Sequence, residues 1–141
     1  MSTSHGTQAA GDFHVYDTTL RDGAQQEGLN LSVHDKLAIS QHLDDLGVGY
    51  IEGGWPGSNP KDTEFFQLAA KELDLKNATL AAFGATRRPG IAAGDDPLIA
   101  ALRYSGASVV TIAAESHDQQ VLKALKTSLD ELLNMVRDSV R

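Results

Sequence analysis

At 141 residues, with 41% hydrophobic and 22% charged residues, the chain has the make-up of one globular domain with a real core. Its formal net charge of −7 argues against a nucleic-acid-binding face and against an anionic membrane surface as partner. The absence of cysteine removes a disulfide frame, a thiolate metal site and a cysteine nucleophile.

No apolar run approaches the ~18 residues that a membrane span needs. Residues 1–11 are small and polar with no apolar core, so they read as a disordered leader rather than a signal peptide. A cytoplasmic location is the default expectation.

Phe13 to Thr19 is β-branched and aromatic and predicts a strand. Gly23 to Leu31 reads as loop. Ser32 then stands as a helix N-cap, Asp35 adds negative charge to the first turn, Leu37, Ile39, Leu43 and Leu46 form the apolar spread, and Gly47 suits the C-terminal stop. Val48 to Glu52 predicts a second strand. The run Gly53-Gly54-Trp55-Pro56-Gly57-Ser58 is irregular, and Asn59-Pro60 opens a helix carrying Phe65, Phe66, Leu68, Ala69 and Leu73. Thr79 to Phe83 is a third strand, followed by a glycine- and arginine-bearing loop from Gly84 to Asp96. Pro97 begins a short helix that ends by Gly106, and Ser108 to Ala113 is a fourth strand. Gln119 to Arg141 is helical, with a break near Thr127-Ser128 where a new cap starts the stripe Leu129, Leu132, Leu133 and Val136.

The order is β-α four times at near-even spacing, which implies a parallel α/β sheet with right-handed crossovers. Two architectures satisfy it: a small open doubly wound sheet, and the first half of an eight-fold β/α barrel, which normally takes ~250 residues. In both, ligands sit at the carboxyl ends of the strands. Those ends carry Asp17 to Gln25, Glu52 to Asn59, Thr86-Arg87-Arg88 and Glu115 to Asp118, whereas the opposite ends are sparse in polar groups.

Asp22 reads as a hard-metal ligand or as a turn-capping aspartate beside Gly23. Arg21 reads as a fork for a substrate carboxylate or developing oxyanion, or as the ion-pair partner of Asp17 or Glu52. Glu52, flanked by glycine on its C-terminal side, reads as an acid/base group, as support for another site residue, or as a buried salt-bridge partner of an arginine. Among the histidines, His5 lies in the leader and His14 in a strand, where packing is the simpler role. His34 and His42 are ~12 Å apart along one helix, too far to share an ion. His117 alone sits at the favoured face. No phosphate-binding loop, dinucleotide-binding glycine pattern or nucleophile elbow occurs. Arg87-Arg88-Pro89-Gly90 is a weak phosphate-grip candidate.

The run Asp17-Thr18-Thr19-Leu20-Arg21-Asp22-Gly23-Ala24-Gln25 resembles the first-strand signature of the metal-dependent Claisen-condensing β/α-barrel family. That family includes isopropylmalate, homocitrate and citramalate synthases, with hydroxymethylglutaryl-CoA lyase more distant. Ile51 to Asp62 is similar to its second-strand region, and the Gly-Gly-Trp-Pro form resembles the citramalate synthase branch. Ala82 to Arg88 and Val110 to Asp118 resemble the third and fourth strands, so the likeness runs from Phe13 to Arg141.

The resemblance implies four βα units of a TIM (β/α)8 barrel over residues 12–141, with the remaining strands and a C-terminal regulatory region absent. It implies an acyltransferase that condenses acetyl-CoA with a 2-keto acid, pyruvate favoured, in isoleucine or leucine biosynthesis. It implies Asp22 as ligand of a divalent metal (Mg²⁺ or Mn²⁺, with Zn²⁺ a further option), Arg21 as the group that contacts the keto acid and steadies the enolate, Gln25 as a residue of the same pocket, and Glu52 as an active-site polar or acid/base residue; His117, by its place at the favoured face, is the further substrate-binding candidate. Family members complete the metal site with a His-x-His, which this sequence lacks, so the 141-residue chain is expected to be inactive alone and either to form a homo-oligomer or to need its missing half. Two other readings stand beside it: a non-catalytic half-barrel that self-associates, and a small α/β domain binding phosphate through Arg87 and Arg88.

Overall fold

The computed structural model describes residues 13–141; the proposed leader lies outside them. Four strands, β1 (Tyr16–Asp17), β2 (Tyr50–Gly54), β3 (Thr79–Ala85) and β4 (Val109–Ala113), form one sheet in the order β1-β2-β3-β4. All three pairings are parallel. The helices are α1 (Val33–Leu46), α2 (Pro60–Glu72), α3 (Pro97–Arg103), α4 (Asp118–Lys123) and α5 (Leu129–Ser139), with 3₁₀ turns at Gly23–Gln25 and Ala93–Asp95.

The strand order decides between the two architectures. A doubly wound sheet reverses its strand order at a switch point, whereas here every crossover steps to the next strand in the same direction. With one hand of crossover throughout, that places α1, α2 and α3 on a single face, as in a barrel wall. The chain is therefore four consecutive βα units, resembling the first half of a TIM barrel.

Leu20, Val33, Val48, Ile51, Phe65, Phe66, Ala69, Ala82 and Leu102 form the core between sheet and helices. Gly53 exists for this contact: a Cβ there would press on the rings of Phe65 and Phe66 and on Leu80. α4 and α5 pack on each other, burying Val121, Leu132 and Met135, and α5 rests on the 3₁₀ turn at Ala93–Asp95.

The predicted caps are present. Ser32 and Asp35 exchange hydrogen bonds as a capping box, Gly47 takes the left-handed conformation (φ 91°), and Asn59 and Ser128 cap α2 and α5; Asp96, expected as the end of a loop, also caps α3 ahead of Pro97.

Several predicted details differ. β2 starts at Tyr50 and runs on through Gly53 and Gly54, which the sequence puts in an irregular run, and β3 runs on through Gly84 and Ala85, which it puts in a loop: parallel pairing with neighbouring strands carries the glycines along. β1 is two residues long instead of running from Phe13 to Thr19: its pairing starts at the Val15 carbonyl, which accepts from Gly49 and Tyr50 N–H, and Thr18 already turns to accept from Arg21 and Gly23. Leu46 is exposed, and the fully buried face of α1 is Val33, Lys36, Ser40 and Asp44. That face is polar because it holds two fastenings: Lys36 pairs with Asp62 of α2, and Asp44 accepts the N–H groups of Lys76, Asn77 and Ala78 ahead of β3. In α5, Leu129 and Leu133 are exposed while Leu132 and Met135 are buried, because the helix meets the body along one narrow line.

Asp44 and Asp96 make folding acid-sensitive. Burial raises both carboxyls, but donated backbone N–H groups outweigh it: Lys76, Ala78 and Asn77 on Asp44, and Arg88 and Leu98 on Asp96, where the Arg88 charge adds. Both stay below the ordinary carboxylate range. The unfolded chain then binds more protons at acid pH, so the stabilisation is complete above about pH 4 and is lost as pH falls through the lowered values. Urea midpoints measured from pH 7 down to 3 are expected to drop below about pH 4, and less steeply in Asp44→Asn. A flat profile would remove this account.

Candidate active site

The site begins with the turn after β1. Asp17 accepts from the Thr19 N–H (3.0 Å) and the Thr19 hydroxyl (3.1 Å), which closes the chain back on itself. Leu20 is thereby driven into the core, and Arg21 comes to lie against the opposite sheet face.

Three groups hold Arg21. Its Nε donates to Glu52 Oε1, its Nη1 lies 3.5 Å from Asp22 Oδ1, and its guanidinium carbon is 4.1 Å from the centre of the Phe83 ring. Trp55 packs edge-on to Phe83, at 5.4 Å between ring centres, and its Nε1–H is buried without an acceptor among the described residues. Glu52 is 1% exposed, a carboxylate in an otherwise apolar stretch of β2. Its second oxygen accepts from the Tyr16 hydroxyl at 2.6 Å, and that hydroxyl meets Thr111 Oγ1 at 2.5 Å. The register slips between Glu52 and Gly54, a bulge that turns Gly53 to the helix side while Glu52 faces the site.

β1 supplies Tyr16, β2 Glu52, β3 Phe83 and β4 Thr111, so every strand contributes to one cluster. Tyr16 and Thr111 sit on the two outermost strands, ~14 Å apart in a flat sheet by strand spacing. Their contact means that the sheet curls around the cluster, as a barrel wall does.

The structure brings Arg21, Asp22 and Glu52 together. The ion-pair reading of Arg21 and Glu52 holds, and the pair stands at the strand ends. Asp22 makes no capping hydrogen bond in the 3₁₀ turn that it opens and is largely exposed. Gln25 lies on the same turn, also exposed. His117 is elsewhere in bonding terms: its Nδ1 accepts from Gln119 N–H as the cap of α4, beside Asp118, and it makes no bond to Arg21, Asp22 or Glu52. His34 and His42 are exposed, and His14 packs edge-on to Tyr50.

The phosphate grip expected of Arg87 and Arg88 does not form. The Arg87 guanidinium is buried and taken up by Glu131 (2.8 Å) and Asp138 (2.7 Å), and the Arg87 backbone N–H donates to the Ser139 hydroxyl. The Glu131 hydrogen bond holds the Arg87 proton more firmly than usual, and in return Arg87 keeps the Glu131 carboxyl low. Arg88 pairs with Asp96. These arginines fasten α5 and the loop after β3.

Tyr16, Thr111, Phe83 and Trp55 were not singled out in the sequence. Nothing local marks Thr111, whose role depends on curvature.

Four sequential parallel βα units with a charged cluster on the concave side define one wall of a β/α barrel. The chain belongs to the HMGL-like family, whose model matches residues 12–141. It is 63% identical over 128 residues to a Streptomyces coelicolor protein named (R)-citramalate synthase, across 91% of this chain and 24% of that protein. It is 52% identical over 127 residues to the Aquifex aeolicus protein of the same name, across 90% and 24%. A Pseudoalteromonas atlantica 2-isopropylmalate synthase is 35% identical over 127 residues, across 90% and 23%. The chain thus spans about a quarter of the length of these relatives.

Proposed function

We propose that this chain carries part of the active site of an acyltransferase of the citramalate/isopropylmalate synthase type, joining the acetyl group of acetyl-CoA to a 2-keto acid, with pyruvate as the favoured acceptor, in isoleucine or leucine biosynthesis. The observation that supports it is the Arg21–Asp22–Glu52 cluster at the carboxyl ends of the strands in a chain of the HMGL-like family.

Arg21 is the group that receives the keto acid's carboxylate or carbonyl oxygen and stabilises negative charge as it develops there. Glu52 fixes Arg21 and is the nearest buried carboxylate for proton transfer. Gln25 and His117 line the outer part of the pocket in this reading. Asp22 suits a divalent cation such as Mg²⁺ or Mn²⁺, with Zn²⁺ a further option, because its carboxylate is exposed and uncommitted to the turn. Among the described residues no three His, Cys, Asp or Glu side chains converge, so Asp22 is one ligand of a larger set. A cation held there would supply Lewis-acid polarisation of the keto acid's carbonyl.

The test is a pyruvate titration of the 141-residue chain with Mn²⁺ present, paired with an acetyl-CoA condensation assay. Weak Mn²⁺-dependent binding that disappears in Asp22→Ala, with no condensation, is expected. Pyruvate binding that survives Asp22→Ala would remove Asp22 from the metal role, and turnover by the chain alone would show that it carries a sufficient ligand set.

A second reading, self-association of a non-catalytic half-barrel, is favoured by the edges. β1 and β4 are both unpaired on one side among the described residues, with Val15 and Val110 exposed there. Light scattering is expected to report a mass above that of one chain. A monodisperse monomer that binds no apolar-surface dye would count against it. No helix among the described residues is long and apolar enough to cross a membrane.

A further inference from the structure

We propose that Tyr16 is a positioning residue: its hydroxyl, steadied by Thr111, holds Glu52 so that Glu52 fixes the guanidinium of Arg21. Its value to the reaction rests on the keto-acid reading of Arg21 given above.

Glu52 has two carboxylate oxygens, and each has one partner: Arg21 Nε on Oε1 and the Tyr16 hydroxyl on Oε2. A carboxylate held at one oxygen can swing about its terminal bond, whereas one held at both is fixed in plane. A phenol has a single proton, and an ionised carboxylate only accepts. Tyr16 therefore donates to Glu52, which leaves the Thr111 hydroxyl to donate to the phenol oxygen at 2.5 Å. The direction of every bond in the chain Thr111–Tyr16–Glu52–Arg21 follows from that one proton.

The Tyr16 ring is also braced, stacked on Tyr50 at 6.0 Å between centres. Burial, with the Glu52 bond next, pushes the Tyr16 hydroxyl up to about 12, so it remains a donor across the neutral range. Arg21 has its Nε on Glu52 and its guanidinium over the Phe83 ring, so its terminal nitrogens are presented in a fixed direction, with Nη1 beside Asp22. Loosening Tyr16 frees Glu52 to rotate and Arg21 with it.

Tyr16→Phe and Thr111→Val each break the clasp, and Thr111→Ser keeps its hydroxyl. The direct readout is hydrogen exchange at the Arg21 Nε–H by ¹⁵N NMR of the whole chain. We expect exchange roughly five-fold faster in Tyr16→Phe and Thr111→Val, the factor of one ordinary hydrogen bond, and close to wild type in Thr111→Ser. Pyruvate affinity is expected to fall by a similar factor in the first two. If Tyr16→Phe fails to fold, the two Thr111 variants decide the matter. Unchanged Arg21 exchange in Thr111→Val, or equal acceleration in Thr111→Ser, overturns the proposal. Faster exchange in a chain that binds no pyruvate supports the clasp and removes the keto-acid reading instead.

Discussion

Replacing Asp62 by alanine is expected to cost about 3–5 kcal/mol of folding stability, the range for a buried ion pair that loses one partner. Lys36 is 2% exposed, and its ammonium pairs with Asp62 while lying 5.1 Å from the centre of the Phe65 ring. Without Asp62 that charge has no route to water. The same carboxylate accepts the Trp55 N–H at 2.9 Å, so its loss also releases the chain just beyond β2. Gly54 shows how closely the parts meet: at φ 144° it has no Cβ, and one there would land on the Asp62 carboxylate. Urea denaturation of Asp62→Ala, Lys36→Met and the double variant measures the effect. The double variant is expected to recover part of the loss, because it removes the stranded charge. An Asp62→Ala midpoint near wild type would refute the assignment.

The second large effect lies in the site and is asymmetric. Arg21→Met strands Glu52, which is 1% exposed and keeps just the Tyr16 bond, and is expected to cost about 3–5 kcal/mol. Glu52→Gln leaves Arg21, 21% exposed and still on Phe83, within reach of water, and is expected to cost less, about 1–3 kcal/mol. Adding Glu52→Gln to Arg21→Met is expected to restore stability, since it neutralises the group left behind. Equal losses in the two single variants would mean that the burial difference does not govern the pair. Keto-acid binding is expected to vanish in Arg21→Met irrespective of stability, which separates the site role from the folding role.

Much of the fold was legible in the chain because its punctuation is local. Ser32, Gly47, Asn59-Pro60, Asp96-Pro97 and Ser128 each work through bonds spanning a few residues, and all five stand where their chemistry predicts. Strand order was not legible, because the βα alternation is the same for a doubly wound sheet and for a barrel wall. The Arg21–Asp22–Glu52 corner could be read from charge placed at strand ends. The burial of Lys36 and Asp44 could not, because apolar periodicity has no term for a charge that is buried to fasten another element. Arg87 misled for the same reason: two adjacent arginines look like an anion grip until Glu131 and Asp138, far along the chain, are brought to meet one of them.

The bridge between Tyr16 and Thr111 joins residues 95 positions apart. A contact of that separation is among the last to be rewarded as a chain folds, because the intervening loop must first be closed by everything between. With β1, β2 and β3 in place, Glu52 already has its bonds from Arg21 and Tyr16, and what β4 adds is the Thr111 hydroxyl on the Tyr16 phenol oxygen. The last strand in the chain thus supplies the outermost brace of the cluster, and the bond of greatest sequence separation there is one that steadies Tyr16 rather than Glu52 itself.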